Sequence, residues 1–526
     1  MLTKRLLVGI PAGLLVVAAV LPLSAAPAPA QLSPSGMGST SSVDPRPATR
    51  VAIGSAEAPG SATMAEVAPN IVVIVADDQR DGTVSGMPFT RRQLVEKGVN
   101  FKNAQSVTST CCPARATMLT GNLAPRTGVW TNWAPDGGWE AFRRLEDRTL
   151  PVALEAAGYA TGLVGKYLNG YADPRIRVKV EKSGDYIPPG WDTWHAFGVP
   201  ASVKDPDVLR ASDQGYYDYW LMNWHEGESR PSYREYGSQS TDYSTDVLGS
   251  LATQFIRDTP SAKPLFLWYS PLSPHAPYTP AKRHARAVVE VPAVPGFGDA
   301  SGKPSWISAL PGVAANKAER LATRQMRALL SLDDNVKGIV EALADSGRLS
   351  NTLIVYVSDN SLTWGEFNLL GNKNYPYTTD VPLMMRWDDA PSGSALARTG
   401  PDHRLVSLAD VAATIAGAAG VAMPDMVDGI DLATQEYRDS LLIAAWRNRG
   451  ARSPMPSYCG VRTRDWLYVR YRPGVEEAYR VSEDPAFLDN LMAPGADPGL
   501  PSDVLDRLRT RTREACDPSP PGYLWE

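Results

Sequence analysis

Histidine and cysteine are scarce in this chain of 526 residues, at five and four, and no two histidines are close neighbours along the sequence. The nitrogen and sulfur ligands that dominate zinc sites are therefore in short supply. An excess of positive charge is also missing. The 52 lysines and arginines face 57 aspartates and glutamates, for a formal charge of -5 and a pI near 5.7. Such a balance offers no global field for a phosphate backbone, and nucleic acid is not an expected partner. A mean hydropathy of -0.23 excludes a protein built of several membrane spans. The length excludes a lone small binding module and predicts one large domain with a smaller one. What is plentiful is proline, at 45, and glycine, at 43, which implies many loops, the usual carriers of a site.

Lys4 and Arg5 precede a charge-free apolar run from Leu6 to Leu23, and small residues follow to Ala28-Pro29-Ala30. That order is the order of a secretory signal, read as residues 1–30 with cleavage after Ala30. A secreted or cell-surface product is expected. The run is near spanning length, so an uncleaved segment would hold the chain on a membrane. Residues 31–66 are rich in Ser, Pro, Ala and Gly and read as a flexible linker.

Residues 70–76, Asn-Ile-Val-Val-Ile-Val-Ala, form a β-branched run without alternation. A strand buried on both faces of a parallel sheet has this pattern. It stops at Asp77-Asp78. Runs at 161–164, 264–269 and 353–357 have the same design and lead to Lys166, to His275 and to Ser358-Asp359-Asn360. Helical stretches over 150–157, 246–255 and 316–344 intervene, which predicts an α/β fold with a large, mostly parallel sheet flanked by helices. Ligands of such sheets sit beyond the carboxyl ends of the strands, so these polar groups are expected at one edge, with 77 and 359 as neighbours. An Asp-Asp after a strand also serves as a turn or helix cap. Two acidic strand ends, all oxygen donors, instead suit a hard cation such as Ca²⁺ or Mg²⁺.

Cys111 and Cys112 are adjacent, and a vicinal disulfide is strained and rare. Pro113 suits the first turn of a helix running to Thr120, and Gly121 suits its end. Cys111 then stands at a helix N-terminus, where free amides favour an anion. The string Cys111-x-Pro113-x-Arg115, followed by Met118-Leu119-Thr120-Gly121, resembles the signature of the sulfatases. The resemblance runs from Asn70 to about Pro494 and implies an alkaline-phosphatase-like catalytic domain, residues 67–440, with a smaller α+β subdomain, residues 441–526. It implies that a formylglycine-generating enzyme oxidises Cys111 to formylglycine, whose hydrate is the nucleophile. It implies one Ca²⁺ held by Asp77, Asp78, Asp359, Asn360 and the modified Cys111.

Lys166 in Gly165-Lys166-Tyr167-Leu168-Asn169, His275 in Ser273-Pro274-His275-Ala276-Pro277, and Lys373 match sulfate-contacting positions of the family. The first two segments are most similar to the N-acetylglucosamine-6-sulfatase and arylsulfatase branch. By this resemblance Arg115 orients the diol, Lys166, His275 and Lys373 hold the sulfonyl oxygens, and His275 is the favoured general acid. The expected substrate is a sulfated small molecule or carbohydrate. Three places differ from the family pattern. Ser361-Leu362-Thr363-Trp364 replaces the usual glycine and nearby histidine, Leu168 stands where many members have histidine, and Thr378-Thr379 replaces an acidic pair. A phosphonate monoester or phosphodiester hydrolase would share the motif and fold. A non-catalytic binding protein on the same fold is a further alternative. With Cys111 and Cys112 assigned, Cys459 and Cys516 remain, and an exported chain is expected to join them.

Overall fold

The computed structural model describes residues 68–173, 185–205, 207, 215–447, 455–496, 500–521, 523 and 525. The expected signal (1–30) and linker (31–66) lie outside the described residues. In β1 (Asn70–Ala76) every residue is buried. Ile71, Val73 and Val75 enter one core, while Val72, Ile74 and Ala76 enter another on the opposite face. An uninterrupted apolar run is what a strand covered on both sides requires.

Nine strands join β1 in one sheet: β2 (Val99–Gln105), β3 (Ala160–Gly165), β4 (Thr193–Phe197), β5 (Tyr219–His225), β6 (Ser232–Tyr236), β7 (Leu265–Ser270), β8 (Thr352–Ser358), β9 (Leu383–Arg386) and β10 (Gly400–Ser407). Their order is β10-β2-β9-β8-β1-β7-β3-β4-β5-β6. The centre, β8-β1-β7-β3-β4, is parallel throughout. Antiparallel pairing enters with β9 on one side and with β5 and β6 on the other. The four apolar runs singled out in the sequence are β1, β3, β7 and β8, four of these five central strands.

Helices cover both faces. On one lie α1 (Cys111–Thr120), α2 (Leu150–Ala156) and α5 (Ala409–Ala419), which supply Met118, Leu154 and Ile415 to the core. On the other lie α3 (Ser244–Asp258) and the 31-residue α4 (Ala315–Asp345), which supply Leu248, Met326 and Leu332. A separate antiparallel sheet follows: β11 (Ser440–Ala445), β12 (Tyr458–Thr463), β13 (Trp466–Tyr471) and β14 (Glu476–Arg480). Cys459 on β12 and Cys516, just past α6 (Ser502–Ala515), form a disulfide with a Cα–Cα distance of 6.2 Å. It ties the last helix to the small sheet.

Candidate active site

β1 and β8 are parallel neighbours with Ala76 opposite Ser358. The residues that follow each strand therefore leave the sheet side by side. Asp359 N–H donates to Ala76 O at 3.1 Å, Asp78 N–H donates to Asp359 Oδ1 at 3.2 Å, and Asn360 Nδ2 donates to Asp78 Oδ1 at 2.7 Å. Asp77, Asp78, Asp359 and Asn360 have no exposed surface. Asp78 adopts φ 68°, a left-handed conformation that costs a non-glycine residue roughly 1–3 kcal/mol and that clusters at functional sites.

β3 ends at Gly165, where a Cβ would meet the Ser270 carbonyl oxygen at 2.1 Å. Only glycine permits this close crossing, and Lys166 follows directly, with Nζ 2.5 Å from Asp77 Oδ2. Beyond β7, His275 Nδ1 lies 2.7 Å from Ala276 O. A carbonyl only accepts, so Nδ1 carries a proton and Nε2, 3.6 Å from Asp78 Oδ2, is the titrating nitrogen.

Cys111 is the first residue of α1, whose ten residues are all buried. Its Sγ lies 3.6 Å from Asp77 Oδ1, 4.0 Å from Asp78 Oδ1 and 3.6 Å from Lys373 Nζ. Lys373 Nζ is also 2.7 Å from Asp78 Oδ1. One helical turn on, Arg115 donates from Nε to Asp359 Oδ2 at 2.9 Å and from Nη1 to Lys166 O at 2.9 Å and Ser270 Oγ at 3.1 Å. Every residue singled out as catalytic or metal-binding is thus gathered at one place. Asp77, Asp78, Cys111 and His275 each offer a ligand atom within 4.8 Å of the others. His275, expected as a sulfate contact and general acid, therefore also stands among the candidate metal ligands.

Three carboxylates face Arg115, Lys166 and Lys373. Burial alone would raise Asp77, but Lys166, His275, Arg115 and Lys373 together hold it far below the usual carboxylate range. Burial and the Asp77 charge push Asp359 up to about 6. Burial opposes the charged form of both lysines, yet Asp77 holds Lys166 above its ordinary value and Asp78 does the same for Lys373. Burial pushes the Cys111 thiol up to about 12, against the pull of both lysines, and lowers His275. Asp78 Oδ2, Asn360 Oδ1 and Arg115 Nη2 are buried without a hydrogen-bond partner. Unmade bonds at two acceptors beside three carboxylates are what an oxygen-ligated cation would complete.

Sequence reasoning missed the supports of this cluster. Gln325 on α4 donates to Asp78 O and Pro274 O, both at 3.3 Å, and accepts from Trp364 Nε1 at 2.6 Å. Its only signal is a glutamine amid the buried Ala322, Met326 and Leu329. Cys112 is bonded to Asn132 and Asn169: its N–H donates to Asn132 Oδ1 at 2.8 Å and its sulfur accepts the Asn169 N–H at 3.1 Å.

A family model described as Sulfatase matches residues 69–421, well over half of the chain. The chain belongs to the sulfatase family. An extracellular sulfatase SULF-1 homolog of Drosophila melanogaster is 30% identical over 405 residues, covering 74% of this chain and 32% of that protein. N-acetylglucosamine-6-sulfatase of Homo sapiens is 28% identical over 382 residues, covering 69% of this chain and 63% of the human one. The chain therefore spans less than two thirds of the length of either relative. In fold it is similar to BT4656, solved with its substrate D-glucosamine-2-N,6-O-disulfate, at a TM-score of 0.66 and 20% identity, covering 86% of this chain and 99% of that one. It is similar as well to the phosphonate monoester hydrolase of Agrobacterium radiobacter, at a TM-score of 0.63 and 19% identity, covering 85% and 96%.

The places where the chain departs from the family pattern have structural roles of their own. Thr378 Oγ1 shares its one proton between Lys373 O at 2.5 Å and Tyr375 O at 2.7 Å, closing the turn that carries Lys373. Leu168 is a core residue at 4% exposure. Trp364 lies under the Arg80 guanidinium, 5.0 Å from its ring centroid, and Arg80 is ion-paired with the buried Glu366.

Proposed function

We propose that this protein is an exported sulfatase that hydrolyses a sulfate ester of a carbohydrate or other small alcohol, using one Ca²⁺ and a formylglycine made from Cys111 by a formylglycine-generating enzyme. Residues 67–440 form the catalytic domain of this reading and residues 441–526 its C-terminal subdomain. The observation that carries it is the convergence of Cys111 with Asp77, Asp78 and Lys373 at the head of a buried helix. A buried thiol that stays protonated at neutral pH is a poor nucleophile, which favours a modified side chain at this position. Formylglycine would supply a hydrated aldehyde oxygen to attack sulfur. Asp77, Asp78, Asp359 and Asn360 would hold Ca²⁺, which supplies Lewis-acid stabilisation of developing negative charge.

The chain's own residues do the rest. Arg115, tethered to Asp359, Ser270 and the Lys166 carbonyl, keeps a fixed positive charge beside position 111. Lys166 and Lys373 bind the sulfonyl oxygens and spread the charge that builds in the transition state. His275, its Nδ1–H fixed on Ala276 O, delivers a proton from Nε2 to the leaving oxygen when it is in the imidazolium form, and is left as the neutral ring. Export rests on the order of residues 1–30 and on relatives named as extracellular sulfatases. No helix among the described residues is long and apolar enough to cross a membrane.

Mass spectrometry of the peptide containing residue 111 tests the reading, together with rates on an aryl sulfate and an aryl phosphonate before and after chelation. Expected are an aldehyde at 111, preference for the sulfate, and loss of activity on chelation that Ca²⁺ restores. An unmodified thiol in fully active enzyme, or full activity after exhaustive chelation, would overturn it. Preference for the phosphonate would move the assignment to that reaction.

A further inference from the structure

The loop that runs from β7 to His275 is held carbonyl by carbonyl. Ser273 O accepts the Asp77 N–H at 3.2 Å, and His275 O accepts from Tyr216 Oη at 2.9 Å, the nearer of that hydroxyl's two acceptors. Between them stands Pro274. It has no N–H, so its carbonyl is the one backbone group by which it can be bonded. That carbonyl lies 3.3 Å from Gln325 Nε2, and the same NH₂, with two hydrogens to give, meets Asp78 O at 3.3 Å.

The other end of the Gln325 amide decides its orientation. Trp364 Nε1 can only donate, and it lies 2.6 Å from Gln325 Oε1, so the NH₂ faces the two carbonyls. Trp364 ends Ser361-Leu362-Thr363-Trp364, the segment in which the chain departs from the family pattern. Gln325 is buried, and its neighbours on α4, Ala322, Met326 and Leu329, are apolar core residues. A side chain serving only to pack that face would be apolar too, because a buried amide is costly unless its groups are bonded. Both hydrogens of this one end on backbone beside reacting groups. Pro274 precedes His275, whose Nε2 lies 3.6 Å from Asp78 Oδ2. Asp78 is left-handed at φ 68°, a conformation that persists where the surroundings over-determine it.

Resting on the sulfatase reading above, we infer that Gln325 is a positioning residue for proton delivery: it ties the loop of His275 to the end of β1 at Asp78 and refers both to the long helix α4, so that His275 Nε2 meets the leaving oxygen. Gln325 acts through His275. Without the clamp the imidazole is still present but displaced, and a displaced acid loses rate because proton transfer needs hydrogen-bond reach in the transition state. The loss depends on the leaving group. Phenolate departs poorly without a proton, whereas 4-nitrophenolate spreads its charge into the nitro group and departs without one.

The test compares kcat/KM for phenyl sulfate and 4-nitrophenyl sulfate, with protein carrying the modified residue 111. Gln325→Met keeps the length of the side chain and deletes both donors. It is expected to lower the ratio of the phenyl to the 4-nitrophenyl ester roughly fivefold or more. Trp364→Phe removes the other partner of the amide but leaves its NH₂ on the carbonyls, so it should lower the thermal midpoint and keep the ratio within about twofold of the parent's. In a His275→Ala background Gln325→Met should move the ratio by less than about twofold, since no donor is left to misplace. Should Gln325→Met fail to fold, Gln325→Glu, which keeps an oxygen for Trp364, carries the same comparison. Equal losses on both esters, or a change of ratio that persists without His275, overturns this inference alone. Turnover of neither ester by the parent overturns the sulfatase reading and this one with it.

Discussion

Two sets of buried carboxylates in this chain are built to opposite rules. Glu477, on β14 and without exposed surface, accepts from three tyrosine hydroxyls: Tyr375 and Tyr479 at 2.9 Å on Oε1 and Tyr471 at 2.5 Å on Oε2. Lys303 completes the knot, its Nζ 4.1 Å from the Phe367 ring centroid and 2.8 Å from Tyr479 Oη. Both Glu477 oxygens are satisfied. Beyond the ends of β1 and β8, by contrast, three carboxylates crowd together, one residue is left-handed, and two acceptors and an arginine donor have no hydrogen-bond partner. A carboxylate ringed by hydroxyls is finished and has nothing to offer a ligand. The Asp77–Asp359 group is unfinished by design, and what it forgoes in stability is available for binding. The two regions meet at Tyr375, two residues after Lys373, so the finished knot anchors a loop of the unfinished site.

If the contrast is right, the largest effect on function comes without an effect on folding. Cys111→Ala should remove turnover, on the order of 10⁴-fold or more in kcat by analogy with deletion of a catalytic nucleophile, while its thermal midpoint stays near the parent's. Cys112→Ala should keep most activity, since the contacts of that sulfur are with Asn169 and Asn132 and not with the acidic cluster. Steady-state rates and a melting curve for both variants check this, and equal losses would break the distinction between the adjacent cysteines.

The reverse is expected at Glu477. Glu477→Ala leaves three buried hydroxyls without an acceptor, at roughly 1–3 kcal/mol each, so a loss near 5 kcal/mol in urea unfolding is expected. Glu477→Gln retains one acceptor and should lose about half as much. A Glu477→Ala protein as stable as its parent would show that the knot is not structural. Reduction of Cys459–Cys516 comes next, at about 4 kcal/mol for a closed loop of 57 residues. Its readout is the unfolding midpoint with and without reductant, and an unchanged midpoint would contradict it.

The unfinished site was far more legible in the sequence than the finished knot. Asp77, Lys166, His275 and Asp359 could be placed because each follows an apolar strand, and strands of one parallel sheet end at one edge. Cys111 and Arg115 were legible through the resemblance of Cys111-x-Pro113-x-Arg115 to the sulfatase signature. Glu477 was not, because nothing in Glu476-Glu477-Ala478-Tyr479 says which glutamate turns inward. Its partners Tyr375 and Tyr471 come from segments that only the tertiary fold brings together. The antiparallel strands β5, β6 and β9 escaped for a related reason. They are partly exposed or only four residues long, and they lack the uninterrupted apolar run that marks the centre. Gln325 and Asn132 were hidden by type, since an amide carries no signal until its partner is known.

The smallest expected effect belongs to neither set of carboxylates and serves as their control. His195 on β4 is 7% exposed, with Nδ1 2.8 Å from Asn223 Oδ1 on the antiparallel neighbour β5 and its ring 5.3 Å from that of His225. Burial, with the nearby His225, lowers its pKa to about 4 against the opposing bond to Asn223. In the unfolded chain the same imidazole titrates near 6.5. Between those values the unfolded state holds a proton that the folded state does not, so stability falls as pH falls from about 6.5 to 4. At about 1.4 kcal/mol per unit, the full loss is on the order of 3 kcal/mol. Other groups titrate in the same window, Asp359 with the opposite sign, so the quantity to read is the difference between the parent and His195→Gln in urea unfolding at pH 7, 5.5 and 4.5. The variant should lose the parent's downward slope, and Cys111→Ala should retain it. A slope that survives His195→Gln would assign the acid sensitivity of the fold to the carboxylates instead, and would erase the separation between site and scaffold on which the comparison rests.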